Sequence, residues 1–279
     1  VPALDHLIYG RGLALIYGSQ KADKTTLALQ AAVTTALEEG KVLVLDTESG
    51  GIGELRLHSL AQAMGVKEEL IPRILSNITV YQAGELCEQH RIILDEWDSV
   101  SRGSDISLYV VDSIAWLYHQ RVMNAPPEHV GSVARELMGK LELQTKTLIN
   151  YARDSGASII FTSWSAPKAK KAFEEHQRRE MEKDAKKGIV DVRDLDVGGR
   201  FIGYMAKVIS RIWRLQGNLR FLVVEAHRER PDNIGLYMQI TEKGLQPVPG
   251  AKPTPVEKEM LRKLLQEEDE AVSQDTPRS

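Results

Sequence analysis

The sequence predicts an α/β fold, with a mostly parallel central sheet flanked by helices and a C-terminal antiparallel hairpin. Three observations predict it. From residue 13 to residue 163, short apolar runs of strand length alternate with helical stretches, and strands separated by helices pair in parallel. A loop opened by a glycine, "GSQKADKTT" at 18–26, joins the first run to the first helix in the manner of a phosphate-binding turn. Gly217-Asn218 divides two later strand-like runs, which signals a hairpin.

Taken in order, "LALIYG" at 13–18 is a buried strand ending at a glycine. Residues 25–39 follow as a helix, with Leu27, Ala28, Leu29, Ala31, Ala32, Ala36 and Leu37 supplying its apolar stripe and Gly40 placed to close it. "KVLVLD" at 41–46 is the next strand, "ELRLHSLAQAMG" a helix ending at Gly65, and "NITVYQ" a third strand. A helix through "ELCEQHRIILDEW", a strand "ISLYVVD" ending at Asp112, a long helix over 132–154 and a strand "SIIFTS" at 158–163 complete the alternation. Residues 166–199 have no sustained apolar period and are dense in Lys, Arg and Glu. Structure resumes with the hairpin and a last strand and turn, "LYMQITEKGLQPV". The expected organisation is one core over 1–248 and a flexible, loosely held tail over 249–279, with a short amphipathic helix on Met260, Leu261, Leu264 and Leu265.

Composition narrows the function classes. The chain has 279 residues, 42% of them hydrophobic and 27% charged, as a globular protein does. No run approaches the roughly 18–20 apolar residues of a membrane span, and no secretory signal is visible, so the expectation is a cytoplasmic protein without membrane contact. The single Cys87 excludes an internal disulfide and a cysteine-based zinc site. A net charge of -3 argues against indiscriminate nucleic-acid binding but permits a local basic patch.

A bound phosphate needs converging backbone N–H groups, a helix N-terminus and a cation. Residues Gly18, Ser19, Gln20, Lys21, Ala22, Asp23, Lys24, Thr25 and Thr26 offer all three: Gly18 for the turn, Lys24 for the outer phosphates, Thr25 for Mg²⁺. Asp23 stands where the pattern G-x-x-x-x-G-K-[ST] has its second glycine. Its Cβ is tolerable because Asp visits left-handed conformations. Its charge is the harder problem, since at about 5 Å from a phosphate charge and an effective dielectric of about 20 the repulsion reaches about 3 kcal/mol. Turning to solvent or pairing with Lys21 would relieve it. Asp112, at a strand end, either orients a Mg²⁺-bound water or caps the next helix. Glu48, just beyond the second strand, is either a base for an attacking water or a solvated loop carboxylate.

The ordered set "YGSQKADKTTLALQ", "VLVLDTESG", "LYVVDSIAW", "IIFTSW", "DVGGRFIGYMAKVISRIWRL" and "VVEAHRERPDN" resembles the ATPase core of the RecA/RadA recombinases over roughly residues 1–245. In length and ending the chain is most similar to the short archaeal paralogues typified by RadB. The resemblance implies a RecA-like P-loop ATPase core that takes ATP and Mg²⁺, with Lys24 and Thr25 on nucleotide and metal, Asp112 as the second carboxylate at the metal, and Glu48 as the base. Where such recombinases usually carry a γ-phosphate-sensing Gln, this chain has Ser163-Trp164, and Trp164 either takes a place in the site or packs under the next loop. Weak or absent hydrolysis is therefore expected.

The resemblance also implies that 166–200 occupies the place of the mobile second DNA-binding loop of RecA-like proteins. Lys168, Lys170, Lys171, Arg178, Arg179, Lys186, Lys187 and Arg200 would then contact single-stranded DNA, although the interleaved acids equally fit an exposed, ion-paired helix. Arg228 and Arg230 alternate with Glu229 at a strand end, so both would leave on one side; the resemblance implies that they act as fingers reaching a neighbouring subunit's ATP, and otherwise they are surface arginines beside a turn. The chain begins close to its core, which predicts an accessory role rather than a long filament. The resulting expectation is an ATP-binding RadA paralogue that modulates recombination and repair and has a RadA-type recombinase or another paralogue as a possible partner. Its rival is a non-enzymatic regulatory scaffold. A KaiC-like signalling ATPase is disfavoured, because no second core is duplicated.

Overall fold

Runs that are apolar on both faces form the middle of the sheet. In the computed structural model, which describes residues 12–48, 50–164, 200–257, 259–261 and 263–264, β1 (Gly12–Gly18), β4 (Ile106–Asp112) and β5 (Ser158–Trp164) are buried over nearly their whole length. Parallel strands covered by helices on both sides must be. With β2 (Lys41–Asp46), β3 (Ile78–Gln82) and β6 (Val208–Arg214) they form a parallel block in the order β6-β1-β5-β4-β2-β3. The sheet then turns antiparallel through β7 (Leu219–His227) and β8 (Ile234–Thr241), and both β9 (Gly244–Pro247) and β10 (Thr254–Pro255) pair with the far edge of β8.

Alternation along the strands sends side chains into two layers. Ile16, Val44, Val110 and Ile160 meet α1 (Lys24–Leu37), α2 (Glu54–Ala63) and α3 (Ile71–Ser76) through Leu27, Ala28, Leu57 and Ile74. On the other face, Leu15, Leu45, Val111 and Phe161 pack with Trp97, Leu141 and Leu148 from α5 (Trp97–Gly103) and α7 (Val130–Ser155). Four alanines in α1 are buried, and their small side chains bring the helix close to the sheet. Buried Gln30 of α1 also reaches the antiparallel end: its amide donates to the carbonyls of Lys243 and Leu245 and accepts from the Leu245 N–H at 3.0 Å. Gly244 (φ 82°) makes this approach possible, because a Cβ there would lie 2.7 Å from Gln30 Cδ.

Several local expectations need correction. α1 ends at Leu37, and Glu39 (φ 69°), not Gly40, takes the left-handed turn. The helix expected through 85–97 is α4 (Leu86–Arg91) and α5 joined by a π turn at Ile92–Glu96, and it runs on to Gly103. A 3₁₀ turn at Glu68–Leu70 leading into α3, and α6 (Trp116–Met123), were not anticipated. α8 (Arg200–Met205) precedes β6. The stretch after Pro249, expected to be loosely held, packs where it is described: Val256 and Leu264 are buried against Trp213, Phe221 and Val223, with Met260 and Leu261 alongside. Leu265 and the chain beyond it lie outside the described residues. Among those described, no helix is long and apolar enough to cross a membrane.

Candidate nucleotide site

β1 delivers the chain to Gly18, where no other residue fits. Its φ is 152°, and a Cβ would stand 2.2 Å from the Ile212 carbonyl oxygen of β6. The loop then runs to α1, with Lys21 (φ 63°) and Asp23 (φ 66°) left-handed. Asp23 thus keeps the backbone shape for which the pattern uses glycine. Its carboxylate does not cap α1. Nor does it turn to solvent or to Lys21 as expected: Oδ2 accepts from Arg220 Nε of β7 at 2.7 Å, with the arginine side chain only 7% exposed and the aspartate 22%. The repulsion anticipated from Asp23 is therefore offset by a fixed opposite charge.

Lys24 is buried at the start of α1, and its Nζ donates to the Gly18 and Ser19 carbonyls at 3.1 and 2.8 Å. Thr25 Oγ1 donates to Asp112 Oδ2 at 2.7 Å, and Thr162 Oγ1 donates to Asp112 Oδ1. Asp112 therefore faces the phosphate loop and caps nothing, since α6 starts only at Trp116. Burial pushes its carboxyl up from the ordinary range, while the Thr162 and Thr25 hydroxyls oppose the shift. Two hard oxygens on adjacent elements, Thr25 Oγ1 and Asp112 Oδ2, form a donor set suited to Mg²⁺ shared with phosphates.

Asp46 lies opposite Asp112 in the β2–β4 register and accepts the backbone N–H groups of Glu48, Gly50 and Ile52 at 3.0, 3.2 and 3.0 Å. Thr47 Oγ1 is stitched to the Ser113 backbone at 2.7 and 2.8 Å. These bonds fix the loop that carries Glu48. Half-buried Glu48 is no solvated loop carboxylate, because its Oε1 accepts from Trp164 Nε1 at 2.5 Å. Burial, then the Asp112 charge, raises its pKa, and the indole bond partly counters the shift. Trp164 stacks on Trp116 at 4.6 Å and lies 5.9 Å from Lys24 Nζ. Trp164 thus contacts the candidate base and packs on Trp116, while the next loop, under which the other reading places it, lies outside the described residues.

The structure thus gathers Gly18, Asp23, Lys24, Thr25, Glu48 and Asp112 at the C-terminal ends of parallel strands, where open α/β sheets bind ligands. Ser19, Gln20, Lys21, Ala22 and Thr26 complete the loop and the first turn of α1. Arg228 and Arg230 are exposed in the bend after β7, which ends at His227, so strand alternation does not set their direction. Lys168, Lys170, Lys171, Arg178, Arg179, Lys186 and Lys187 fall outside the described residues, and Arg200 opens α8. Phe201, the aromatic beside that loop, lies under Lys146 Nζ at 4.9 Å. Sequence reading missed Arg220, Thr162 and Trp116. Thr162 had a signal, its place in the strand beside Asp112; the other two had none.

Residues 2–141 match the model of the AAA domain family. The chain is 30% identical over 257 residues to the DNA repair and recombination protein RadB of Pyrococcus abyssi, covering 91% of this chain and 94% of that protein. It is 31% identical to the protein of the same name from Thermococcus gammatolerans, over 89% and 97% of the two chains. A crystal structure of the RadB recombinase superposes with a TM-score of 0.61 at 26% identity, covering 88% of this chain and 96% of that one. With its phosphate loop, its strand-end carboxylates and a match along nearly its whole length, the chain belongs to the RadB family of the RecA/RadA superfamily.

Proposed function

We propose that this chain is a nucleotide-binding RadA paralogue that binds single-stranded DNA, modulates homologous recombination and DNA repair, and hydrolyses ATP weakly. The observation that carries the reading is a phosphate loop shaped for binding beside a base that is already engaged. Lys24, Thr25 and Asp112 converge at the N-terminus of α1, while Glu48 is held by Trp164 Nε1 at 2.5 Å. Mg²⁺ at Thr25 and Asp112 would supply neutralising charge for the phosphates. Lys24 would exchange the Gly18 and Ser19 carbonyls for phosphate oxygens. A water attacking in line needs a carboxylate that is ionised and has a free oxygen aimed at it. Glu48 has one oxygen taken by the indole, which favours binding over turnover.

The role in repair and recombination is supported by the names of the RadB relatives, and single-stranded DNA binding by the basic residues between 168 and 200. The partner that fits best is a RadA-type recombinase or another paralogue. The deciding experiment measures ATP binding and turnover side by side with Mg²⁺, with and without single-stranded DNA. Saturable binding with turnover well below about 1 s⁻¹ is expected. Turnover at or above about 1 s⁻¹ would overturn the weak-hydrolysis reading, and absent binding would put a non-enzymatic scaffold in its place.

A further inference from the structure

We infer that Arg220 is a positioning residue for nucleotide, acting through Asp23: it holds the loop carboxylate away from the phosphates and cancels its charge, so ATP affinity depends on a residue of the antiparallel hairpin. The inference rests on the nucleotide-binding reading above. Asp23 occupies the last loop position before the lysine, with its backbone left-handed, so its side chain leaves the loop at a fixed angle. At that angle its Oδ2 meets Arg220 Nε at 2.7 Å. The arginine cannot easily follow a ligand. It is nearly buried, and its Nη1 donates to the carbonyls of Gly217 and Leu219 at 3.1 and 2.8 Å, which tie the guanidinium to the hairpin turn.

A planar guanidinium fixed by three acceptors is a static counter-charge. With it, the loop presents N–H groups and Lys24 to an anion. Without it, an aspartate of otherwise unbalanced charge stands among those groups, and removing one member of a nearly buried pair leaves the other exposed to whatever binds next. The same arrangement explains how a carboxylate is accommodated in this loop: the compensating charge comes from 197 positions along the chain.

The test is a double-mutant cycle on the full chain: the natural protein, Arg220→Gln, Asp23→Asn and the double variant, each titrated with Mg²⁺–ATP and each melted to verify folding. Asn retains the left-handed preference and removes the charge. Arg220→Gln alone should weaken ATP binding by about ten- to a hundredfold, and less at high salt, where the exposed charge is screened. In the Asp23→Asn background the same substitution should cost less than about threefold. That rescue is something a purely structural arginine would not give. Equal losses in both backgrounds overturn this inference and leave the nucleotide reading standing. Absence of ATP binding in all four folded proteins overturns both.

Discussion

Trp164 Nε1 donates to Glu48 Oε1 at 2.5 Å, joining the end of β5 to the loop after β2. Trp116 stacks on the same indole at 4.6 Å and keeps it in place. The only ring N–H of Trp164 is therefore spent on the candidate base, and Glu48 retains one oxygen for water.

Trp164→Phe keeps the stacking ring and removes the donor. The indole bond favours the charged carboxylate, so its loss raises the Glu48 pKa further. Turnover that requires ionised Glu48 should then rise with pH later than in the natural protein. Phosphate release measured across about pH 5 to 9 checks this, and an unmoved acid limb removes Glu48 from the role of base.

Glu48→Gln should abolish turnover while changing ATP affinity less than about threefold. It should also stabilise the fold at neutral pH. Because the folded pKa lies above the ordinary 4.5, the folded chain holds more protons than the unfolded one between the two values. Stability is thus fully present below the unfolded value and is lost as pH rises through the folded value. Melting curves should show the variant about 1–3 °C more stable at neutral pH, with no gain in acid.

Gly18→Ala places a methyl 2.2 Å from the Ile212 carbonyl in a backbone conformation that only glycine adopts readily. A loss of about 3 kcal/mol or more in urea unfolding is expected. A loss under about 0.5 kcal/mol would contradict the tight approach of β1 to β6.

Leu264→Asp puts a charge against Trp213, Phe221 and Val223. The expected cost is about 2 kcal/mol of stability, with faster proteolysis after Pro249 and ATP affinity unchanged. Identical proteolysis of variant and natural chains would mean that this contact does not hold the segment.

Replacing Lys168, Lys170 and Lys171 together with Ala should weaken single-stranded DNA binding and flatten its log–log salt slope by about 2. Unchanged affinity rejects that stretch as the DNA contact.

The sheet was legible because its central strands are apolar on both faces: the bounds of β2 and β4 match the runs "KVLVLD" and "ISLYVVD" residue for residue. α6 was not, since "WLYHQRVM" follows the strand after only Ser113, Ile114 and Ala115 and carries no clear start signal. The loop motif located Lys24, Thr25 and, with the strand ends, Asp112 and Glu48. The direction of each carboxylate escaped sequence reasoning for one physical reason. Asp23 and Glu48 find their partners on strands 197 and 116 positions away, and Arg220 in "NLRFLVV" reads as an ordinary strand arginine. The contacts of Val256 and Leu264 were not legible either, because those few apolar side chains matter only once Trp213 and Phe221 offer them a surface.

Gln30 bears on how this chain can be divided. Its three bonds to Lys243 and Leu245 tie the very helix that begins at the phosphate loop to the edge of the antiparallel sheet. Cutting the chain before Lys243 would strand a buried amide on the inner face of α1 and open a gap where Gly244 sits. The terminal strands are accordingly no detachable appendage, because a shortened protein ending at β8 would leave the helix behind the phosphate loop without the partners of its buried amide, however complete its loop and strand motifs appear.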